Sequence, residues 1–310
     1  MTLLQQCRIW YKNKEFERII NTMEALPFDD WTPALAGILE KARKSLKEQM
    51  EKNVLDGTGL FTGQILLAEP RWDKQKLIRR LASEWGLKAM EKQNQKSDSL
   101  LFFVGNTILS VCLISSPVPN GQAERAAAAN YLWPEAEERT RAHTARIFVG
   151  AMGDDASLLD RGRLLVEVLA SCCDQENALG VLVNGTVYET RLYETLAKLI
   201  LLNRLPVDNW IWFSFFHDAG GVSCYTRGMR AFGKEELEAV HCGEKASEAR
   251  ELVFRIAAHV LQNNIVFHGG EVIHDADGRR YAVSRGEGIF SKEETIRIFR
   301  IPEEPTSPEE

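Results

Sequence analysis

The sequence predicts an α+β fold: two tandem ferredoxin-like (βαββαβ) modules forming one domain, preceded by an α-helical, repeat-like arm. Three observations carry this expectation. Apolar residues up to residue 52 recur at helical spacing. From Gly63 onward, short apolar runs that read as strands alternate with helical stripes. The order strand, helix, strand, strand, helix, strand is met between Gly63 and Met152 and again after Ala178, although the residues themselves barely repeat.

Residues 1–52 are read as the helical arm. Leu3, Leu4, Cys7, Trp10 and Tyr11 share one helical face, and Phe16, Ile19, Ile20, Met23 and Leu26 a second, with a turn at Lys12-Asn13-Lys14. Pro27 to Trp31 breaks the pattern. Thr32-Pro33 then reads as an N-cap followed by proline at the first helical position, opening a helix through Leu35, Ile38, Leu39 and Leu46. The step from Leu3 to Leu35 is close to the ~34-residue period of tetratricopeptide repeats. Tyr11 and Phe16 flank the turn as the aromatics of such repeats do, so the arm resembles one and a half of them. A plain helical hairpin packed on the main domain explains the same residues. A single repeat cannot bury its own apolar face, so either version needs a surface to dock on.

Residues 53–62, with Gly57 and Gly59, read as a linker, and residues 63–301 as the α+β domain. Strands are expected at Gly63–Ala68, Leu100–Val104, Thr107–Ile114 and Arg146–Met152, with Gly105-Asn106 as a tight hairpin turn. Asp73 caps a helix through Leu77, Leu81 and Trp85, and a second runs from Gln122 towards His143 across Pro134. A helix over Leu158–Cys173 leads into strand Ala178–Val183, an Asn184-Gly185 turn and a helix from Arg191 to Leu202. Asn209–His217 reads as a strand whose Trp210–Phe216 part has aromatics on both faces, which makes it a central strand or, if one face is open, an exposed patch for a partner. Val222–Thr226, a helix over Ser247–Leu261, strands near Ile265–His268 and at Val272-Ile273, and a hairpin turning on Asp277-Gly278 complete the second module, with Thr295–Ile301 last. Residues 302–310 are acidic and proline-rich and are expected to be a disordered tail.

Composition excludes several classes. A net charge of −6 and a pI near 5.7 leave no basic footprint for nucleic acid. No apolar run approaches the roughly 20 residues that span a bilayer, and the first residues lack a signal-peptide layout. Six cysteines without a CxxC pair read as reduced thiols, so a cytoplasmic protein without metal is expected. Five of the six histidines lie in the last third, but none makes an i, i+4 or HExxH arrangement. Cys224 beside a histidine would be a nucleophile only with a lowered pKa, and nothing in the sequence marks one. No GxGxxG, GxxxxGK[ST] or GxSxG pattern is present, and no cofactor is expected.

The densest chemistry lies in Tyr225–Glu238. Tyr225, Arg227, Arg230 and Lys234 are followed by Glu236 and Glu238, with Gly228 and Gly233 as hinges. As a site, the basic groups would face a groove, the glycine amides would approach an anion, and Glu236 would act as acid or base. As structure, the glycines would supply positive φ, Met229 and Phe232 would enter the core, and the charges would pair on the way to a short acidic helix. Asn130, Tyr131, Trp133 and Glu135, at the break around Pro134, would line a pocket, or else Trp133 anchors the core and Asn130 satisfies freed backbone groups.

Several stretches together resemble the bacterial family called domain of unknown function 4261, over about residues 60–301. They are Arg71-Trp72-Asp73, Pro117-Val118-Pro119-Asn120-Gly121, Ala129 to Ala136, His143, Gln175-Glu176-Asn177-Ala178, Gly269-Gly270-Glu271 and, above all, Tyr225 to Glu238. The resemblance implies a domain boundary and names no reaction or cofactor. The expectation is therefore a non-catalytic module that binds a protein partner through its N-terminal helices, with no nucleic acid or membrane partner. The alternative is an enzyme acting on a small anionic substrate at Tyr225–Glu238.

Overall fold

The computed structural model describes residues 2–13, 15–24, 26, 31–52, 57–89, 98–153, 157–275, 277–291 and 293–302. Lys14, residues 27–30, residues 53–56 of the expected linker and residues 303–310 of the expected tail lie outside the described residues. The chain divides into two compact units, Met1–Asp56 and Gly57–Glu310.

The first unit holds α1 (Leu3–Lys12), α2 (Phe16–Glu24) and α3 (Pro33–Lys52). Thr2 and Gln5 form a reciprocal capping box at the start of α1. The Thr32 hydroxyl accepts from the Leu35 amide at 3.3 Å, and Pro33 opens α3, as the sequence suggests. Cys7, Trp10, Phe16, Ile19, Met23, Leu35, Leu39 and Ala42 make a core of the unit's own.

The second unit is α+β, with two six-stranded sheets. The first comprises β1 (Phe61–Leu67), β2 (Ser99–Val104), β3 (Thr107–Ile114), β4 (Ala145–Met152), β5 (Ala178–Val183) and β6 (Thr186–Tyr188), in the order β2-β3-β4-β1-β5-β6. Every neighbouring pair is antiparallel. Strand periodicity puts its two faces to different uses. Ile65 and Leu67 join the main core with α4 (Lys74–Trp85) and α7 (Leu158–Cys172), whereas Leu66 packs with residues of α5 (Gln122–Ala128) and α6 (Ala136–Arg141). The Asp73 carboxylate caps α4 by accepting from the Lys76 amide at 2.8 Å. After β6 come α8 (Thr190–Ala197) and the short α9 (Val207–Trp210).

The second sheet comprises β7 (Trp212–Asp218), β8 (Gly221–Arg227), β9 (Glu236–Gly243), β10 (Val272–His274), β11 (Arg280–Glu287) and β12 (Glu294–Arg300). Its order is β10-β11-β12-β9-β8-β7, and only β9 and β12 are parallel neighbours. One face packs on α10 (Ala246–Asn263), through Val253, Ala257 and Val260.

Three expectations are corrected. The modules are not ferredoxin-like. A split βαβ needs parallel strands with one strand between them, but β1 and β2 are separated by β4 and β3 and run in opposite directions. The order β2-β3-β4-β1 does recur as β10-β11-β12-β9, yet β1 is antiparallel to β4 where β9 is parallel to β12. Hydrophobic periodicity fixes which face is buried and says nothing of strand direction. Second, Trp210–Phe216 does not form a central strand. Trp210 ends α9, and β7 is the edge of its sheet, leaving Phe216 46% exposed. Third, residues 236–238 open β9 rather than a helix, and Ile265–His268 is not a strand.

Candidate functional site

Residues 225–238 form the join between β8 and β9. At Gly228, φ is +124° and a Cβ would run into the Trp210 carbonyl oxygen, so the chain can turn there only on glycine. A single 3₁₀ turn over Met229–Phe232 follows, closed by Gly233 at φ +67°. Met229 and Phe232 are buried. The Phe232 ring meets Phe61 edge-on at 5.1 Å and Trp210 at 4.8 Å, and α7 admits it because Gly162 offers no Cβ there.

An anion does hold the turn, and it belongs to the chain itself. The Glu236 carboxylate accepts from the Gly228 amide at 2.8 Å, the Arg230 amide at 3.4 Å and the Thr226 hydroxyl at 2.6 Å. Thr226 Oγ1 in turn accepts from the Leu237 amide at 2.8 Å. Burial pushes the Glu236 carboxyl above its ordinary range, and these donors, with the Met229 amide, oppose the shift. Two residues on, Glu238 repeats the device across the sheet. Its carboxylate accepts from the amides of Ile289 at 2.6 Å, Phe290 at 3.2 Å and Ser291 at 3.1 Å. Buried carboxylates normally need compensation, and here amides supply it rather than arginines.

The basic side chains of the stretch diverge. The Arg230 guanidinium lies 2.8 Å from the Glu293 carboxylate and donates to the Glu294 carbonyl at 3.2 Å. Lys234 is buried, which pushes its pKa down while Glu235 opposes the shift. Tyr225 stacks on Phe290 at 5.3 Å and lines a 550 Å³ cavity with Tyr131, His217 and Arg250. Arg227 turns into a different cavity, of 470 Å³. Asn130 is tied to the backbone: Nδ2 donates to the Val187 carbonyl at 2.6 Å, and Oδ1 accepts from the Leu132 and Trp133 amides at 2.7 and 3.2 Å. Trp133 packs with Leu66, Leu182 and Val187 beneath the first sheet. Neither Asn130 nor Trp133 lines the cavities that hold Tyr225 and Arg227.

Sequence reasoning did not single out Arg125, which shares the Arg227 cavity; Tyr131, one of the two aromatics it placed at the helix break, has its ring 4.9 Å from Trp212 and 5.1 Å from Phe215. The available signal was a lone arginine in the alanine run Ala123–Ala129. Among the described residues no group of three or more His, Cys, Asp and Glu is placed to hold a metal ion. His241 pairs with Asp218 at 2.8 Å, holding that carboxyl below the usual range. Burial pushes the Cys224 thiol well up and that of Cys242 to about 11, the opposite of thiolate activation. His143 is a structural group: Nε2 accepts from the Val118 amide at 2.9 Å, so the proton sits on Nδ1, 2.5 Å from the Thr140 carbonyl.

Fold and site together describe an α+β protein in whose densest charged stretch the two buried glutamates are satisfied from within. Residues 225–299 match the family model described as a domain of unknown function (DUF4261). That match runs from the start of the Tyr225–Glu238 stretch almost to the end of β12 and includes the Glu238-bound loop. No curated protein and no solved structure shows a significant match. No helix among the described residues is long and apolar enough to cross a membrane.

Proposed function

We propose that the chain is a non-catalytic binding module that takes an acidic segment of a protein partner on its N-terminal helices. The carrying observation is a 480 Å³ groove between α1 and α3. Leu4, Tyr11 and Ile38 form its apolar floor, and Arg8, Lys12 and Lys41 its rim. A Cβ on Gly37 would meet nothing within 4 Å, so the groove is open at that point. No acidic residue lines it, and none of the three cations has an ion-pair partner among the described residues. Residues 1–56 carry nine basic and nine acidic side chains, so the basic rim is a matter of placement rather than composition. The edge-on contact of Tyr11 and Phe16 at 5.2 Å supports the repeat-like reading of the arm. The diverging side chains of Tyr225–Glu238 favour binding over catalysis, because acid-base work needs groups within reach of one point.

The test is affinity capture from the native cell with the full chain and with the double variant Lys12→Glu, Lys41→Glu. Both positions are exposed, so folding should survive. A partner captured by the natural chain and lost by the variant is expected. Equal capture by both would sink the proposal.

A further inference from the structure

A second cleft lies where β1 and the β5–β6 hairpin meet α5 and the end of β8. It encloses about 470 Å³, and its wall includes Gln64, Gln122, Arg125, Asn184, Gly185 and Arg227. No aspartate or glutamate lines it, in a chain with 44 acidic and 38 basic side chains. Neither guanidinium has a carboxylate partner among the described residues. Arg125 Nη1 donates to the Asn120 carbonyl at 2.6 Å, which leaves its other donors for the cleft. Arg227 lies 6.0 Å from the Tyr225 ring, and its Nη1 stands 3.1 Å from where a Cβ on Gly185 would be. Glu124, beside Arg125 on α5, has its Oε1 3.7 Å from His143 instead.

The wall is held in place. Asn184 and Gly185 have φ of +51° and +75°, the left-handed pair of a tight hairpin turn. The Asn184 side chain donates through Nδ2 to the carbonyls of Asn209 at 3.2 Å and Trp210 at 2.6 Å. The same Trp210 carbonyl blocks any side chain at Gly228, so the turn that delivers Arg227 and the turn facing it share one anchor.

We propose that this cleft binds a small phosphate monoester, Arg125 and Arg227 holding the phosphate and the amide side chains of Gln64 and Gln122 the polar remainder. Two guanidiniums match a monoester that carries about −1.5 to −2 charges near neutral pH. Planar guanidinium forks are suited to bidentate phosphate recognition. The volume falls in the range of small-molecule sites, roughly 300–1,000 Å³, and exceeds what a bare phosphate would fill. Side-chain amides both donate and accept, as hydroxyl groups on the remainder require. The site is independent of the N-terminal groove.

Titration calorimetry on the full chain tests it, with ribose 5-phosphate, glucose 6-phosphate, inorganic phosphate and ribose as probes. At least one ester should saturate the protein at low salt, more tightly than inorganic phosphate, while ribose gives no heat. Arg227→Gln, at an exposed position, should weaken that ester at least about tenfold without moving the thermal midpoint, and Arg125→Gln should do the same. Three outcomes would overturn the proposal: no saturation by any phosphate up to about 10 mM, equal affinity for inorganic phosphate and the esters, or ester binding that survives Arg227→Gln.

Discussion

At the scale of single residues, Glu236 explains why so much charge gathers in so few positions. Its carboxylate occupies the place that an anionic ligand would take over the Gly228–Arg230 amides. Hydrogen bonds to a buried charge are each worth about 1.5–3 kcal/mol, and orphaned donors cost a similar amount. Glu236→Ala should therefore destabilise the chain by about 3 kcal/mol in urea unfolding, and Glu236→Gln by about 1 kcal/mol, because one amide oxygen still accepts. A loss below about 0.5 kcal/mol for the alanine variant would mean that the turn holds without the carboxylate. The sequence showed the ingredients, two glycines and the glutamates, and the option that the glycines serve a turn. It did not show which donors each carboxylate meets. Those of Glu238 lie some fifty residues further on, at Ile289–Ser291, and no local pattern encodes such a pairing.

At the scale of elements, most of what was legible rested on local rules. The caps at Thr32 and Asp73, the helices after them, and the hairpin turns at Gly105 and Asn184-Gly185 follow from cap and turn chemistry. The failures have one cause, tertiary context overriding propensity. Lys234-Glu235-Glu236-Leu237-Glu238 has helix-forming composition, but Glu236 and Glu238 are drawn into amide cages and the chain extends as β9. Trp212–Phe216 is as apolar as a central strand and is an edge, partly covered by Tyr131. Helix α7 adds a pH dependence that sequence cannot show. Burial pushes the Glu167 carboxyl up to about 7, with Arg163 opposing. A raised folded-state pKa means that the folded protein binds this proton more tightly. The contribution is full below the ordinary value and is lost as pH rises through about 7. Thermal midpoints of the natural chain should fall between about pH 5 and pH 8 relative to those of Glu167→Gln, and parallel curves would contradict this.

At the scale of the whole molecule, the fold class was legible and the topology was not. Alternating periodicities announce α+β, and the helical spacing up to residue 52 announces the arm. Strand direction is set by which edges pair, so two sheets with a recurring order and different directions look like one repeated module in sequence. In residues 57–310 the two sheets share one core, and the Tyr225–Glu238 join feeds it. Phe232 reaches Phe61 of the first sheet, and the Ala231 carbonyl accepts from the Gly59 amide at 2.9 Å. The central claim is that this join is built around its own carboxylate rather than left open for a ligand. Amide hydrogen exchange at Gly228 and Arg230 tests it most directly, in the natural chain and in Glu236→Ala under conditions where both are folded. Slow exchange at both amides in the natural chain, and much faster exchange at both in the variant, is the predicted result. Fast exchange already in the natural chain, or rates unchanged by the substitution, would contradict it.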